Sequence, residues 1–122
     1  MTGPWTLPDD PTAARAARRH VADALSQRPE LDDALLVASE LAANAVRHGR
    51  PPIELRLDVD ARTVRITVSD HGDATAPRIV SADPADGHGR GLAIVAGLAR
   101  EVGWSRDGDR LDVWAELGSD PS

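Results

Sequence analysis

The chain has 122 residues, is 41% hydrophobic and 28% charged, and carries a net charge of −6. That length and balance fit one globular domain, residues 1–122, with a modest core, and they exclude a disordered chain. A surface of this sign repels nucleic acid, and no apolar run approaches the roughly 18 residues of a membrane span, so neither is an expected partner.

The missing residue types narrow the chemistry further. No cysteine is present, which removes disulfides and thiolate metal sites and leaves the redox compartment open. The N-terminus has no basic-then-apolar leader, and the chain reads as cytoplasmic. All 14 basic residues are arginine. Without lysine there is no P-loop cation and no Schiff-base or lysine-nucleophile chemistry. With no Tyr or Phe, stacking on single-stranded bases would fall to three tryptophans, a poor platform.

In chain order, Trp5-Thr6-Leu7-Pro8 suits a short edge strand. Pro11 is placed for a first helical turn, and Ala- and Arg-rich sequence carries that helix to about Gln27, where Pro29 follows. Leu31, Ala34, Leu35, Ala38, Leu41, Ala42 and Ala45 form one apolar stripe of a second helix. Asp32 and Asp33 in its first turn, and Arg47 and His48 in its last, complement the helix dipole, with Gly49 as the stop. Beyond Pro51-Pro52, Ile53–Val59 and Val64–Val68 alternate as strands around a turn at Asp60-Ala61. Gly72 to Gly89 has no periodicity, a length of loop that usually means a lid or disorder. A third helix is expected over Arg90–Ala99, then strands near Glu101–Arg106 and Leu111–Leu117 joined by Asp107-Gly108-Asp109. The sum is an α+β two-layer sandwich: a mostly antiparallel mixed sheet with helices on one face.

Three short patterns carry the chemistry. Glu40, Asn44 and Arg47 stack one turn apart on the side of the second helix opposite its stripe. Taken alone they read as a solvated face. Leu36 and Val37 flank them, however, and a carboxylate with a carboxamide in a partly covered groove suits Mg²⁺, which takes oxygen ligands and shares them with phosphates. Asp70 has the strand parity of Val64, Ile66 and Val68 and so points to the core side, where a charge is costly. It either caps the turn through Gly72 or accepts a hydrogen bond from an exocyclic amine such as that of adenine. Gly87, Gly89 and Gly91 precede or open the third helix, whose free N–H groups would make an anion site, with Arg90 as an added charge. The other reading is a plain glycine-rich loop.

In this order the patterns resemble the three nucleotide-binding boxes of the superfamily that includes gyrase, histidine kinases and MutL. Glu40–Asn44–His48 is similar to the N box, Asp70-His71-Gly72 to the first glycine box, and Gly87-His88-Gly89-Arg90-Gly91-Leu92 to the second. The likeness to the small anti-sigma-factor serine kinases of actinobacteria covers nearly the whole chain, from Trp5–Pro8 to Val113-Trp114-Ala115-Glu116-Leu117. It implies a Bergerat-type sandwich binding ATP and Mg²⁺. Asn44 would coordinate the metal, with His48 beside it in the cofactor site. Asp70 would contact adenine, and Gly72 would shape the base pocket. Gly87, Gly89, Arg90, Gly91 and Leu92 would line the phosphates, and Glu40 would act as general base toward a serine hydroxyl. The partners implied are a STAS-type anti-anti-sigma protein, a sigma factor, or both, and the resemblance allows a homodimer.

One departure bears on turnover. Many relatives carry a Gly-Lys-Thr-like stretch before the final Val-Trp, where this chain has Arg110-Leu111-Asp112. An ATP-dependent serine/threonine kinase and a non-catalytic nucleotide-binding partner switch therefore both stand. A detached histidine-kinase domain is weaker, because the chain has no room for a phosphoacceptor hairpin. His20, His48, His71 and His88 lack metal-ligand spacing. Trp104 shares parity with Val102 and is expected in the core; Trp114 is expected on the outer sheet face.

Overall fold

The computed structural model describes residues 2–72 and 90–118, the latter with backbone alone at 90–92. The expected long loop, with Gly87, His88 and Gly89, lies outside the described residues. The elements in order are β1 (Thr2–Leu7), α1 (Ala13–Ala24), α2 (Leu31–His48), β2 (Ile53–Val59), β3 (Thr63–Asp70), α3 (Arg90–Leu98), β4 (Glu101–Asp107) and β5 (Arg110–Gly118). The strands form one sheet in the order β1-β2-β3-β5-β4, and every pairing in it is antiparallel. Helix α2 packs against α1 and α3 and lies across β2, β3 and β5. The expected α+β sandwich is the observed one.

The core forms where the two periodicities meet. Period-2 residues Ile53, Leu55, Leu57, Val64, Ile66, Val68, Val113 and Ala115 face the helices, and Ala34, Val37, Ala38, Leu41, Ala42 and Ala45 of α2 cover them. Each large aliphatic side chain so buried contributes roughly 1.5–3 kcal/mol relative to exposure. The alanines let α2 approach the sheet closely, which brings its C-terminal end against the end of β3.

The hairpin from β4 to β5 closes over two residues, Gly108 and Asp109, between the paired Asp107 and Arg110. Gly108 takes φ +59°, the left-handed conformation such a tight loop requires. At the β2–β3 turn Asp60 accepts the backbone N–H groups of Arg62 and Thr63 at 2.9 and 2.8 Å, an Asx-type turn as expected for that residue.

Two expectations need correction. Helix α1 ends at Ala24 rather than near Gln27. The chain turns at Leu25, which is fully buried, and Arg28 precedes a proline that disfavours helical backbone. Trp104 is not core: it is 45% exposed. Its parity was read correctly, since it pairs with buried Val113 across the β4–β5 ladder. But β4 is the edge strand of the sheet, where burial falls off.

Trp114 does lie on the outer face, beneath the Arg65 guanidinium, 4.1 Å from its ring centroid. That face also holds an ordered polar cluster. Asp112 accepts from Ser69 Oγ at 2.5 Å and lies 3.4 Å from an Arg56 nitrogen and 3.2 Å from Arg110 Nε. Asp112 and Ser69 are both buried by their neighbours, so the carboxylate is paired as a buried charge must be.

Candidate functional site

Asp70 is the last residue of β3, only 5% exposed, on the helix-facing side. Its parity with Val68 forces the carboxyl inward, as the sequence pattern requires. Three strands of polypeptide then close around it. The Gly72 N–H donates to Asp70 Oδ1 at 2.8 Å, and the His71 N–H donates to the Arg50 carbonyl at 2.9 Å. From the sheet edge, Arg106 Nη2 donates to the Gly72 carbonyl at 2.9 Å.

Burial pushes the Asp70 carboxyl above the ordinary aspartate value. The Gly72 N–H, the charges of Arg106 and His71, and the Arg50 backbone N–H all pull it back. The geometry thus offers a buried carboxylate stabilised mainly by backbone donors. An ionised carboxylate has about four acceptor positions. The two backbone donors leave it capacity to accept from a ligand's amine.

The first glycine motif is held against the end of α2. A β-carbon added at Gly72 would stand 2.8 Å from Gly49 Cα and 3.1 Å from the His48 carbonyl oxygen. The structure therefore brings together His48 by its backbone, Asp70 and Gly72. Asn44 and Glu40 follow one and two turns back along α2, both half-buried. Of their apolar flanks, Val37 is fully buried and Leu36 is 39% exposed. Arg47 leaves the row: it is exposed and lines a groove of about 410 Å³ with Asp10, Pro11, Ala14, Ala43 and Val46. Arg90, Gly91 and Leu92 open α3, which packs beside α2. Gly87 and Gly89 lie outside the described residues.

Two contributors were missed from the sequence. Gly49 does end α2, with its N–H on the Ala45 carbonyl at 2.8 Å, but its φ of −105° and ψ of −164° are extended backbone open to any residue. What it supplies is space, because a β-carbon there would meet the Asp70 carboxyl carbon at 2.3 Å. Arg106 had no signal of its own. It becomes visible only once β5 is placed between β3 and β4, which sets Asp70, Leu111 and Arg106 in one row across the sheet. The same row answers where the departing stretch falls. Leu111 is 4% exposed on the Asp70 side, whereas Asp112 faces away on the outer surface.

Residues 7–117 match the family model described as Histidine kinase-like ATPase domain. Among curated proteins the chain is 44% identical over 78 residues to a Sensor protein CseC of Streptomyces avermitilis, covering 55% of this chain and 15% of that protein. It is 38% identical over 78 residues to the Streptomyces coelicolor protein of the same name, with the same coverage of 55% and 15%. It thus spans about 15% of the length of these curated relatives. Among solved structures, histidine kinase AdeS of Acinetobacter baumannii superposes with a TM-score of 0.58 at 14% identity, over 97% of this chain and 68% of that one. The histidine kinase domain of the Erythrobacter litoralis EL346 blue-light activated histidine kinase gives 0.53 at 20% identity, over 88% and 60%. These likenesses carry the fold, and the family match covers nearly the whole chain, which belongs to the histidine kinase-like ATPase domain family.

Proposed function

We propose that this domain binds ATP with Mg²⁺ at the junction of β3, the C-terminal half of α2 and the start of α3. The observation that carries the reading is Asp70: a buried carboxylate wedged by backbone donors, at a strand end, on the side of the sheet that bears the helices. It is suited to accept the adenine amine, with Gly72 allowing the base close approach. Asn44 would hold Mg²⁺. Among the described residues no three His, Asp, Glu or Cys side chains gather as a metal cage. That fits an ion that takes one or two protein oxygens and completes its shell from phosphates and water. When bound, the ion would neutralise phosphate charge. His48, Gly87, Gly89, Arg90, Gly91 and Leu92 complete the cofactor site in this reading.

The activity we infer is phosphoryl transfer to a serine or threonine on a STAS-type anti-anti-sigma protein, within a partner switch that also engages a sigma factor. Glu40, one turn before Asn44, would take the proton from the attacking hydroxyl. The alternative is a partner switch without turnover. Leu111 favours it, because a buried leucine stands on the pocket face where many relatives have lysine. The reading places the protein in the cytoplasm and leaves room for a homodimer.

Calorimetric titration of ATP and Mg²⁺ into wild type and D70N tests the pocket; binding by wild type that is strongly weakened in D70N is expected. Phosphotransfer from labelled ATP to a partner, compared with E40A, then separates the two readings. A kinase loses transfer in E40A while keeping nucleotide, and a switch shows no transfer in either protein. Acid-stable label would identify a hydroxyl acceptor, and acid-labile label would point to histidine and overturn the serine assignment.

A further inference from the structure

We propose that Arg106, on edge strand β4, is a positioning residue for the adenine corner: it holds the Gly72 carbonyl so that the Gly72 N–H stays aimed at Asp70. The inference rests on the nucleotide reading above and adds a residue outside the three motifs. The geometry is direct. Arg106 is half-buried, shares a cross-strand row with Leu111 and Asp70, and reaches over that row to donate to Gly72 O at 2.9 Å. One peptide unit away, the Gly72 N–H meets Asp70 Oδ1 at 2.8 Å. The two bonds pin the turn from opposite sides.

A guanidinium can do this where a neutral side chain cannot. A hydrogen bond from a charged donor is about twice as strong as a neutral one, and its charge acts on a carboxyl that burial works to neutralise. Among the described residues the charges that act on Asp70 come from two elements, Arg106 on β4 and His71 in the turn after β3, while Arg50, just past α2, acts through its backbone N–H. Arg106 both bonds the Gly72 carbonyl through its side chain and adds its charge. Its loss should loosen Gly72 and let Asp70 take up a proton at higher pH. A protonated Asp70 keeps one oxygen as a donor and presents less to an incoming amine.

The test uses R106Q, which keeps a donor without the charge, and R106K, which keeps the charge without the fork. Two readouts are needed: titration of the Asp70 side-chain carboxyl by carbon NMR without nucleotide, and ATP affinity with Mg²⁺ by calorimetry across pH. In R106Q the Asp70 midpoint should move up and ATP affinity at neutral pH should fall roughly ten-fold, the loss growing toward acid pH. R106K should keep the midpoint near wild type and recover part of the affinity. An unchanged midpoint and unchanged affinity in a folded R106Q overturn the proposal, as does a uniform fall in affinity with no change in pH profile. If wild type binds no nucleotide, the pocket reading fails with the positioning role, and the midpoint in R106Q still decides whether Arg106 governs the carboxyl. Should R106Q not fold, R106K decides: a wild-type midpoint with ATP affinity still several-fold below wild type supports the role, and wild-type affinity rejects it.

Discussion

Gly49 and Asp70 occupy space that a single methyl group would destroy: a β-carbon at Gly49 would lie 2.3 Å from the Asp70 carboxyl carbon and 2.7 Å from the Ala45 carbonyl. The helix end and the strand end are therefore fitted to each other through an absent side chain. G49A should cost about 1–3 kcal/mol, the range for overpacking a close-packed site, and should weaken ATP binding by displacing Asp70. Urea unfolding and calorimetry on the same preparation check both effects.

Replacing Asp70 by Asn removes the acceptor but keeps the shape. Leaving a ligand amine with a poorer partner, or facing a second amide donor, should cost about 1–3 kcal/mol, roughly a five- to 150-fold weaker ATP affinity. Selectivity should suffer too, with the ratio of ATP to GTP affinity falling toward one. Competition titrations would show it. Equal affinity of D70N and wild type would end the adenine assignment.

Acidity should act on folding and on binding in opposite directions. Burial raises Asp70 above its ordinary 3.8. A carboxyl raised in the folded state lends stability that is complete below the unfolded value and is lost as pH rises through the folded one. The non-titrating D70N should thus gain on wild type as pH climbs from below 3.8 toward neutrality. Nucleotide affinity of wild type should instead weaken as pH falls through the raised value, since the acceptor must be ionised. Unfolding curves and titrations in one pH series read both signs.

On the outer face, D112A would remove the partner of Ser69, Arg56 and Arg110 at once. We expect a loss of about 1–3 kcal/mol in unfolding free energy from the stranded polar groups. ATP affinity should stay within about two-fold, because sites on opposite faces of a sheet without shared partners behave almost independently. A large fall in affinity would mean that Asp112 is coupled to the pocket through the sheet.

The alternation in β2, β3 and β5 and the stripe on α2 made the sandwich legible, because each burial choice is written locally as a period of two or of 3.6. Asp70 was legible for the same reason: its parity pointed a charge inward. What local pattern could not carry was neighbourhood. Trp104 has core parity, yet edge position decides its exposure. Gly49 looks like a helix terminator, and only the arrival of Asp70 shows that room, not backbone angle, is what glycine supplies. Arg106 sits 36 positions beyond Asp70 in sequence, and only the strand order makes them neighbours.

That strand order has a kinetic side. The corner around Asp70 draws Gly49 from the first half of the chain and Arg106 from the final hairpin, with β5 inserted between β3 and β4. Such long-range closures are among the slower events of folding. A chain in which α1, α2 and the β2–β3 hairpin had formed first would still lack the clamp on Gly72. Nucleotide capture should accordingly appear only with the last hairpin docked, which would make ATP a reporter of finished molecules.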